Sequence, residues 1–335
     1  MHRNCFSKLK IKSLNLLFIF LLTFLSVCYG DTNTFAFSHK KSFEVILDLQ
    51  YANAGNPRHT LDLFIPTKNT ITGAHSSKSP MELPLVIWIH GGAWQNGSKI
   101  SGKLPARLPK ILQTGRYIGA SINYRLSGES TWPAQIHDCK AAIRWLRAHS
   151  SKYGINKKKI AVWGASAGGH LVGMLGTTNG VKEFEGTVGK FLEDSSKVQA
   201  IINYYGPSAF LQMDDHPSKI NHRSPSSPES KLLGKPIDQV PDLSKQASPF
   251  HHVKENLPPF IHFHGTKDPL VPFHQSLILH EAMLKQKNES CLITVRGGSH
   301  SMPPDFTDQF VIPFLDFHFY SLGSRIHSQE IIQKR

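Results

Sequence analysis

The sequence predicts an α/β fold built on a mostly parallel, doubly wound sheet. Three observations carry this expectation. Short continuous apolar runs recur along the chain, of the kind buried on both faces of a parallel sheet. Helical periodicities lie between most of them, the alternation that builds strand-helix-strand units. The composition, 335 residues with 40% hydrophobic and 19% charged side chains, is that of a folded globular protein and excludes disorder, collagen-like repeats and a polytopic membrane protein.

Residues 1–30 stand outside the fold. Arg3, Lys8, Lys10 and Lys12 precede an apolar run from Leu14 to Val27, and Cys28 and Gly30 are small residues at the right places for a cut after Gly30. This pattern predicts a signal peptide and a secreted or periplasmic protein. A membrane enters only if the segment stays uncleaved as an anchor. Removing it takes away four basic and no acidic residues, so the net charge falls from +14 to +10. The remaining Lys and Arg are scattered rather than gathered on a stripe, so no nucleic-acid partner is expected. The densest run, Lys157-Lys158-Lys159, reads as a solvated turn before a strand. Cys139 and Cys291 are the cysteines left after export, and no disulfide between them is expected.

Phe43–Leu49 and Thr60–Ile65 alternate apolar with polar residues around an Asn-Pro-rich bend, which predicts an antiparallel hairpin at the sheet edge. Residues 66–82, rich in Ser, Thr, Gly and Lys, read as a surface loop. The buried strands follow at Leu85–Ile89, Ile118–Ile122, Ile160–Trp163, Ala200–Tyr204, Phe260–Phe263 and Leu292–Val295. The spacing of Ile136, Cys139, Ile143 and Leu146 predicts a helix over 133–152, with Pro133 in its first turn. Further helices are expected at 167–177, 273–287 and 307–321. Residues 206–258, rich in Pro, Ser, Asp and His, break the rhythm and read as an excursion or cap over the carboxyl edge of the sheet. The globular domain is thus placed at 43–322, with 323–335 as a C-terminal tail.

Ligands of such sheets bind at the carboxyl ends of the strands, and the reactive residues collect there. Gly164-Ala165-Ser166-Ala167-Gly168 joins a strand to a helix, where small flanking residues let a strained serine project its hydroxyl. A nucleophilic serine needs N–H donors for the oxyanion of its tetrahedral intermediate, each worth roughly 3–4 kcal/mol of barrier. His90-Gly91-Gly92-Ala93-Trp94 leaves the end of the strand Leu85–Ile89, and the amides of Gly91 and Gly92, with that of Ala167, are the candidates. The serine also needs a base, and the base an orienting acid. His300 follows the strand Leu292–Val295 and Asp268 follows the strand Phe260–Phe263, so both loops open on the serine's side. Asp214, Asp215 and Asp238 lie in the excursion, and Asp305 and Asp308 follow the histidine; Asp268 keeps the order serine, acid, histidine. His90 and His264 read as loop-shaping residues rather than metal ligands, since no zinc-type spacing is present. Trp94 and Trp132 divide evenly between packing and substrate contact.

These residues resemble the α/β-hydrolases, in the esterase and lipase branch with an HGG-type oxyanion loop. Within that branch the chain is most similar to the secreted bacterial feruloyl and acetyl-xylan esterase-like group. The similarity runs over about 43–320 and includes Asn123-Tyr124-Arg125-Leu126, Trp132-Pro133-Ala134, Asp138, Ala141–Leu146 and Ser227-Pro228-Glu229-Ser230. Where the hormone-sensitive-lipase type has Asp-Tyr-Arg-Leu-Ala-Pro, this chain has Asn123 first and Ser127-Gly128 last, which draws it toward the polysaccharide-esterase-like group. The resemblance implies Ser166 as nucleophile, Asp268 as orienting acid, His300 as general base and acid, and an ester substrate, either small or linked to polysaccharide. No metal or organic cofactor is implied. A serine peptidase of the prolyl-oligopeptidase type and a non-catalytic binding protein on the same fold are the alternatives. Residue patterns leave the oligomeric state open.

Overall fold

The computed structural model describes residues 42–332, apart from 53–54, 68–69 and 71–81. The segment read as a signal peptide and most of the loop at 66–82 lie outside the described residues. The strands are β1 (Phe43–Gln50), β2 (Thr60–Pro66), β3 (Leu83–Ile89), β4 (Ile118–Ile122), β5 (Ile155–Ala165), β6 (Ala200–Tyr204), β7 (Phe260–Gly265), β8 (Ser290–Arg296) and β9 (Gln329–Ile332). They form one sheet in the order β1-β2-β4-β3-β5-β6-β7-β8-β9. β1 and β2 make the antiparallel hairpin, and β2 runs antiparallel to β4; every later pairing is parallel.

The continuous apolar runs are explained by cover on both faces. Along β3, Leu85, Ile87 and Ile89 belong to one buried cluster while Val86 and Trp88 belong to the other. The helices α1 (Leu108–Leu112), α2 (Ala134–Ala148), α3 (Ser150–Tyr153), α4 (Ala167–Thr177), α5 (Pro228–Leu233), α6 (Pro241–Gln246), α7 (His274–Lys285) and α8 (Ile312–Tyr320) supply that cover. α2, α4 and α7 contribute Ile143, Leu171 and Leu279 to the first face. α1 and α8 contribute Ile111 and Leu315 to the second, where Trp88 and Trp163 meet edge to face with ring centroids 5.0 Å apart.

Several boundaries differ from the sequence expectation for physical reasons. The helix expected over 133–152 breaks after Ala148, where His149 leaves the helical region and its Nδ1 bonds the carbonyl of Trp145 at 2.8 Å; Gly154, at φ 69°, ends the short α3. The helix expected over 307–321 begins as a π-helical turn at Thr307–Val311 and becomes α8. Pro313, near the start of α8, has no N–H to continue a regular ladder. Lys157-Lys158-Lys159 is not a turn: it belongs to β5, which starts five residues earlier than expected, with Lys157 and Lys158 exposed beyond the covering helices. The Lys159 ammonium lies over the Tyr320 ring, 5.2 Å from its centroid.

Residues 323–335, read as a tail, include β9, which pairs parallel to β8 with Ile293 opposite Gln329 and Arg296 opposite Ile332. Its alternation is too short and too polar to signal a strand from sequence, since it is an edge strand with little to bury. Residues 206–258 carry α5, α6 and two 3-10 turns at Phe210–Asp215 and Pro249–His252. Cys139 and Cys291 are both buried and free. Among the described residues no helix is long and apolar enough to cross a membrane.

Candidate active site

The turn between β5 and α4 holds Ser166 at φ 57°, ψ −120°, a strained conformation for a residue with a Cβ. Its backbone N–H donates to the carbonyl of Tyr204 and its carbonyl accepts from His170, both at 2.9 Å. The glycines two residues either side are required by contact. A Cβ on Gly164 would lie 2.2 Å from the carbonyl oxygen of Gly168, and one on Gly168 would lie 2.1 Å from that of Ile89. Helix α4 therefore starts hard against the ends of β3 and β5.

Asp268 and His300 arrive from the loops after β7 and β8. Those loops touch: Lys267 N–H donates to the carbonyl of Gly298 at 2.9 Å, and a Cβ on Gly265 would meet that same oxygen at 2.3 Å. His300 Nε2 lies 2.9 Å from Ser166 Oγ, and His300 Nδ1 lies 2.7 Å from Asp268 Oδ2. The carboxylate accepts Nδ1–H, which leaves the Nε2 lone pair facing the serine hydroxyl. The three side chains singled out in the sequence are thus brought together in one hydrogen-bonded line.

Asp268 is held from several sides. Its Oδ1 accepts the backbone N–H groups of Leu270 at 2.8 Å and Val271 at 3.0 Å. His264 Nε2 lies 3.3 Å from Oδ2 and 2.9 Å from the carbonyl of Val271, so it faces acceptors only and carries its proton; Nδ1 then accepts from Ser276 Oγ at 2.7 Å. Burial works to raise the Asp268 pKa, but the hydrogen bonds from His264 and His300 outweigh it and hold the carboxyl well below the usual carboxylate range.

The HGG loop is anchored by His90. Its Nδ1 donates to the carbonyl of Gly91 at 2.7 Å, its Nε2 meets Arg58 Nη2 at 3.2 Å, and its ring stacks on Tyr124 with centroids 4.2 Å apart. Burial lowers its pKa to about 3, so the ring is neutral and accepts from Arg58 at Nε2. A Cβ on Gly91 would lie 2.6 Å from the carbonyl oxygen of Ala165, which puts the loop against the serine turn. Gly92 is at φ 114°, and Ala93 and Trp94 also have positive φ, 55° and 56°. The carbonyl of Gly92 accepts from both Gln95 and Asn96, at 3.0 and 2.9 Å.

A small cleft opens beside Ser166 and His300, and Ala93, Trp94 and Ala167 line it; Gly91 and Gly92 do not. Ala167 is the first residue of α4, which has no side-chain cap among the described residues, so its amide is a helix-terminal donor open to a ligand. Ala93, which sequence reasoning did not single out as a donor, lines the cleft at positive φ, a backbone angle for which alanine carries no signal. Trp94 lines the cleft while its Nε1 donates to His170 Nδ1 at 3.2 Å. Trp132 is away from the cleft, packed on His170 with Nε1 donating to Gln246 Oε1 at 3.2 Å. His222 and Glu229, from the excursion, also line the cleft; Glu229 stands in the Ser227-Pro228-Glu229-Ser230 motif of the resemblance, whereas nothing in the local sequence separates His222 from a solvated residue. Among the described residues no three His, Cys, Asp or Glu side chains are grouped to hold a metal ion.

The chain is similar to known proteins in sequence and in fold. The chain is 32% identical over 236 residues to a probable carboxylic ester hydrolase, LipM, of Mycobacterium tuberculosis, an alignment covering 68% of this chain and 49% of that one. It therefore spans about half the length of the mycobacterial relatives it matches. A truncated form of a carbohydrate esterase from gut microbiota superposes with a TM-score of 0.73 at 30% identity, over 84% of this chain and 97% of that one. A bifunctional GH43-CE protein of Bacteroides eggerthii superposes with a TM-score of 0.73 at 32% identity, over 82% of this chain and 38% of that one. The BD-FAE family model matches residues 71–283. That match takes in the HGG loop, the serine turn, the excursion and Asp268, and the chain belongs to the BD-FAE family and has an α/β-hydrolase fold.

Proposed function

We propose that the protein is a serine carboxylic-ester hydrolase working through an acyl-enzyme intermediate. The observation that carries this reading is the line from Ser166 Oγ to His300 Nε2 at 2.9 Å and from His300 Nδ1 to Asp268 Oδ2 at 2.7 Å, beside the helix-terminal amide of Ala167. Ser166 Oγ attacks the ester carbonyl carbon while Nε2 of His300 takes its proton. Asp268, kept ionised by its hydrogen bonds, stabilises the imidazolium that forms. The amides of Ala167 and of the loop Gly91-Gly92-Ala93 meet the oxyanion, and Ala93 is favoured over the two glycines because it lines the cleft. His300 then returns the proton to the departing alcohol. Water, activated by the same imidazole, releases the acid and restores the serine.

Acetyl or feruloyl esters of plant polysaccharide are the substrates this reading favours, on the likeness to the carbohydrate esterase from gut microbiota. The basic residues at 3–12 followed by the apolar run at 14–27 support an exported protein. The test compares the chain with Ser166→Ala on a series of p-nitrophenyl acyl esters and on a dipeptide anilide. Ester cleavage that falls at least about 10³-fold in Ser166→Ala is the expected result. Anilide cleavage as the main activity, or ester cleavage indifferent to the substitution, overturns the proposal.

A further inference from the structure

The wall of the cleft facing the serine carries a buried pair that the proposed chemistry does not use. Glu229, at the start of α5, is 2% exposed, and His222, from the loop before it, is 1% exposed. Both line the cleft with Ser166 and His300. His222 Nδ1 donates to Glu229 Oε2 at 2.9 Å, while its Nε2 lies 3.2 Å from Ser218 Oγ. The backbone N–H of His222 donates to Asp214 Oδ1 at 2.9 Å, so the imidazole is fixed from three directions. Glu229 is thereby oriented through one oxygen. Its other oxygen, Oε1, accepts no hydrogen bond from the described residues and is not among the fully buried atoms, so it keeps a small opening onto the cleft that the residue lines.

A ligand that fills the cleft covers this oxygen, and a carboxylate oxygen cut off from water without a donor is costly unless the ligand supplies one. The neighbours on the cleft wall, Pro228, Leu270 and Val271, are apolar side chains with nothing to donate. We infer that Glu229, positioned by His222, is a specificity-determining residue that accepts a hydrogen bond from a hydroxyl group of the substrate. A site that holds such an acceptor discriminates against the analogue lacking the hydroxyl, because the acceptor is then left buried and unpaired. The hydroxyl belongs either to the alcohol half, as on a sugar ring, or to the acyl half, as on a phenolic acid.

This inference rests on the proposed esterase reaction, and the experiment separates the two. Selectivity is measured as the ratio of kcat/KM values in two arms: a monoacetylated methyl xyloside against cyclohexyl acetate, and methyl p-coumarate against methyl cinnamate. Because each ratio is taken on one preparation, it does not depend on the folded fraction of a variant. Glu229→Gln is expected to lower the ratio by about 10-fold or more in the arm whose hydroxyl reaches Oε1, and His222→Ala to lower it in the same arm. Ratios that stay within about twofold of the parent in both arms, while Ser166-dependent hydrolysis persists, overturn the role of Glu229 and leave the esterase reading standing. Cleavage of p-nitrophenyl esters but of none of these four overturns the role of Glu229 alone, and Ser166-dependent cleavage of neither set overturns both.

Discussion

Asp268 serves four neighbours with two oxygens: Oδ1 takes the amides of Leu270 and Val271, and Oδ2 faces His300 and His264. This crowding has two consequences. In Asp268→Asn the amide group turns a donor toward His300 Nδ1 and favours the wrong tautomer, so kcat is expected to fall by about 10⁴-fold with little change in KM; a loss under tenfold in steady-state kinetics would sink this role. The second consequence concerns stability. The carboxyl's pKa is lower in the folded chain than in the unfolded one, so its contribution is complete above the ordinary carboxylate range and is lost as pH falls through the lowered folded value. Urea midpoints followed from pH 7 into the acid range should converge for the parent and Asp268→Asn, and parallel curves would contradict the assignment. Ser166, Asp268 and His300 were legible because each stands at a strand's end in the required chain order. Ala93 was not, since a backbone angle leaves no mark on residue type, and Glu229 stood in a motif of the resemblance without a sign there of its place on the cleft wall.

At the scale of elements, helix α2 is tied to the segment after α4 by buried charge. Lys140 and Arg144, one turn apart and with side chains 1% and 2% exposed, meet Glu185 at 2.9 Å and 3.0 Å. Lys140 also donates to the carbonyl of Thr178 at 3.0 Å, and Arg144 to those of Glu185 and Val188 at 2.8 and 2.9 Å. Removing the shared carboxylate leaves two buried cations without a partner charge. Glu185→Ala is therefore expected to destabilise the protein by about 3–5 kcal/mol in chemical denaturation, and a loss below about 1 kcal/mol would contradict the arrangement. The period of α2 was visible from its apolar positions alone, whereas nothing in that period marks Lys140 and Arg144 as buried. The break at His149 was likewise hidden, because it depends on a side chain bonding a carbonyl one turn back.

For the molecule as a whole, the sheet ends at β9, which covers the otherwise open edge of β8. Ser328 Oγ, just before β9, accepts from the backbone of Leu292 at 3.0 Å and meets His280 Nε2 at 3.3 Å. Ending the chain at Leu322 removes these contacts and exposes β8 as a pairing edge. The shortened protein is expected to melt several degrees lower and to aggregate on heating, measured by light scattering, while its freshly prepared form still hydrolyses p-nitrophenyl esters; an unchanged melting curve would show the edge strand to be idle. Local pattern alone, through the runs of apolar residues, the glycines around Ser166 and the succession of strand-end loops, was enough to specify the fold class and the reactive side chains. Folding alone decided the strand order, the ninth strand, which amides border the cleft and the Glu229 wall. The physical reason is range: hydrophobic period and turn chemistry act within a few residues, whereas hydrogen bonds such as His300 to Ser166 join positions 134 residues apart and exist only once the chain has closed on itself.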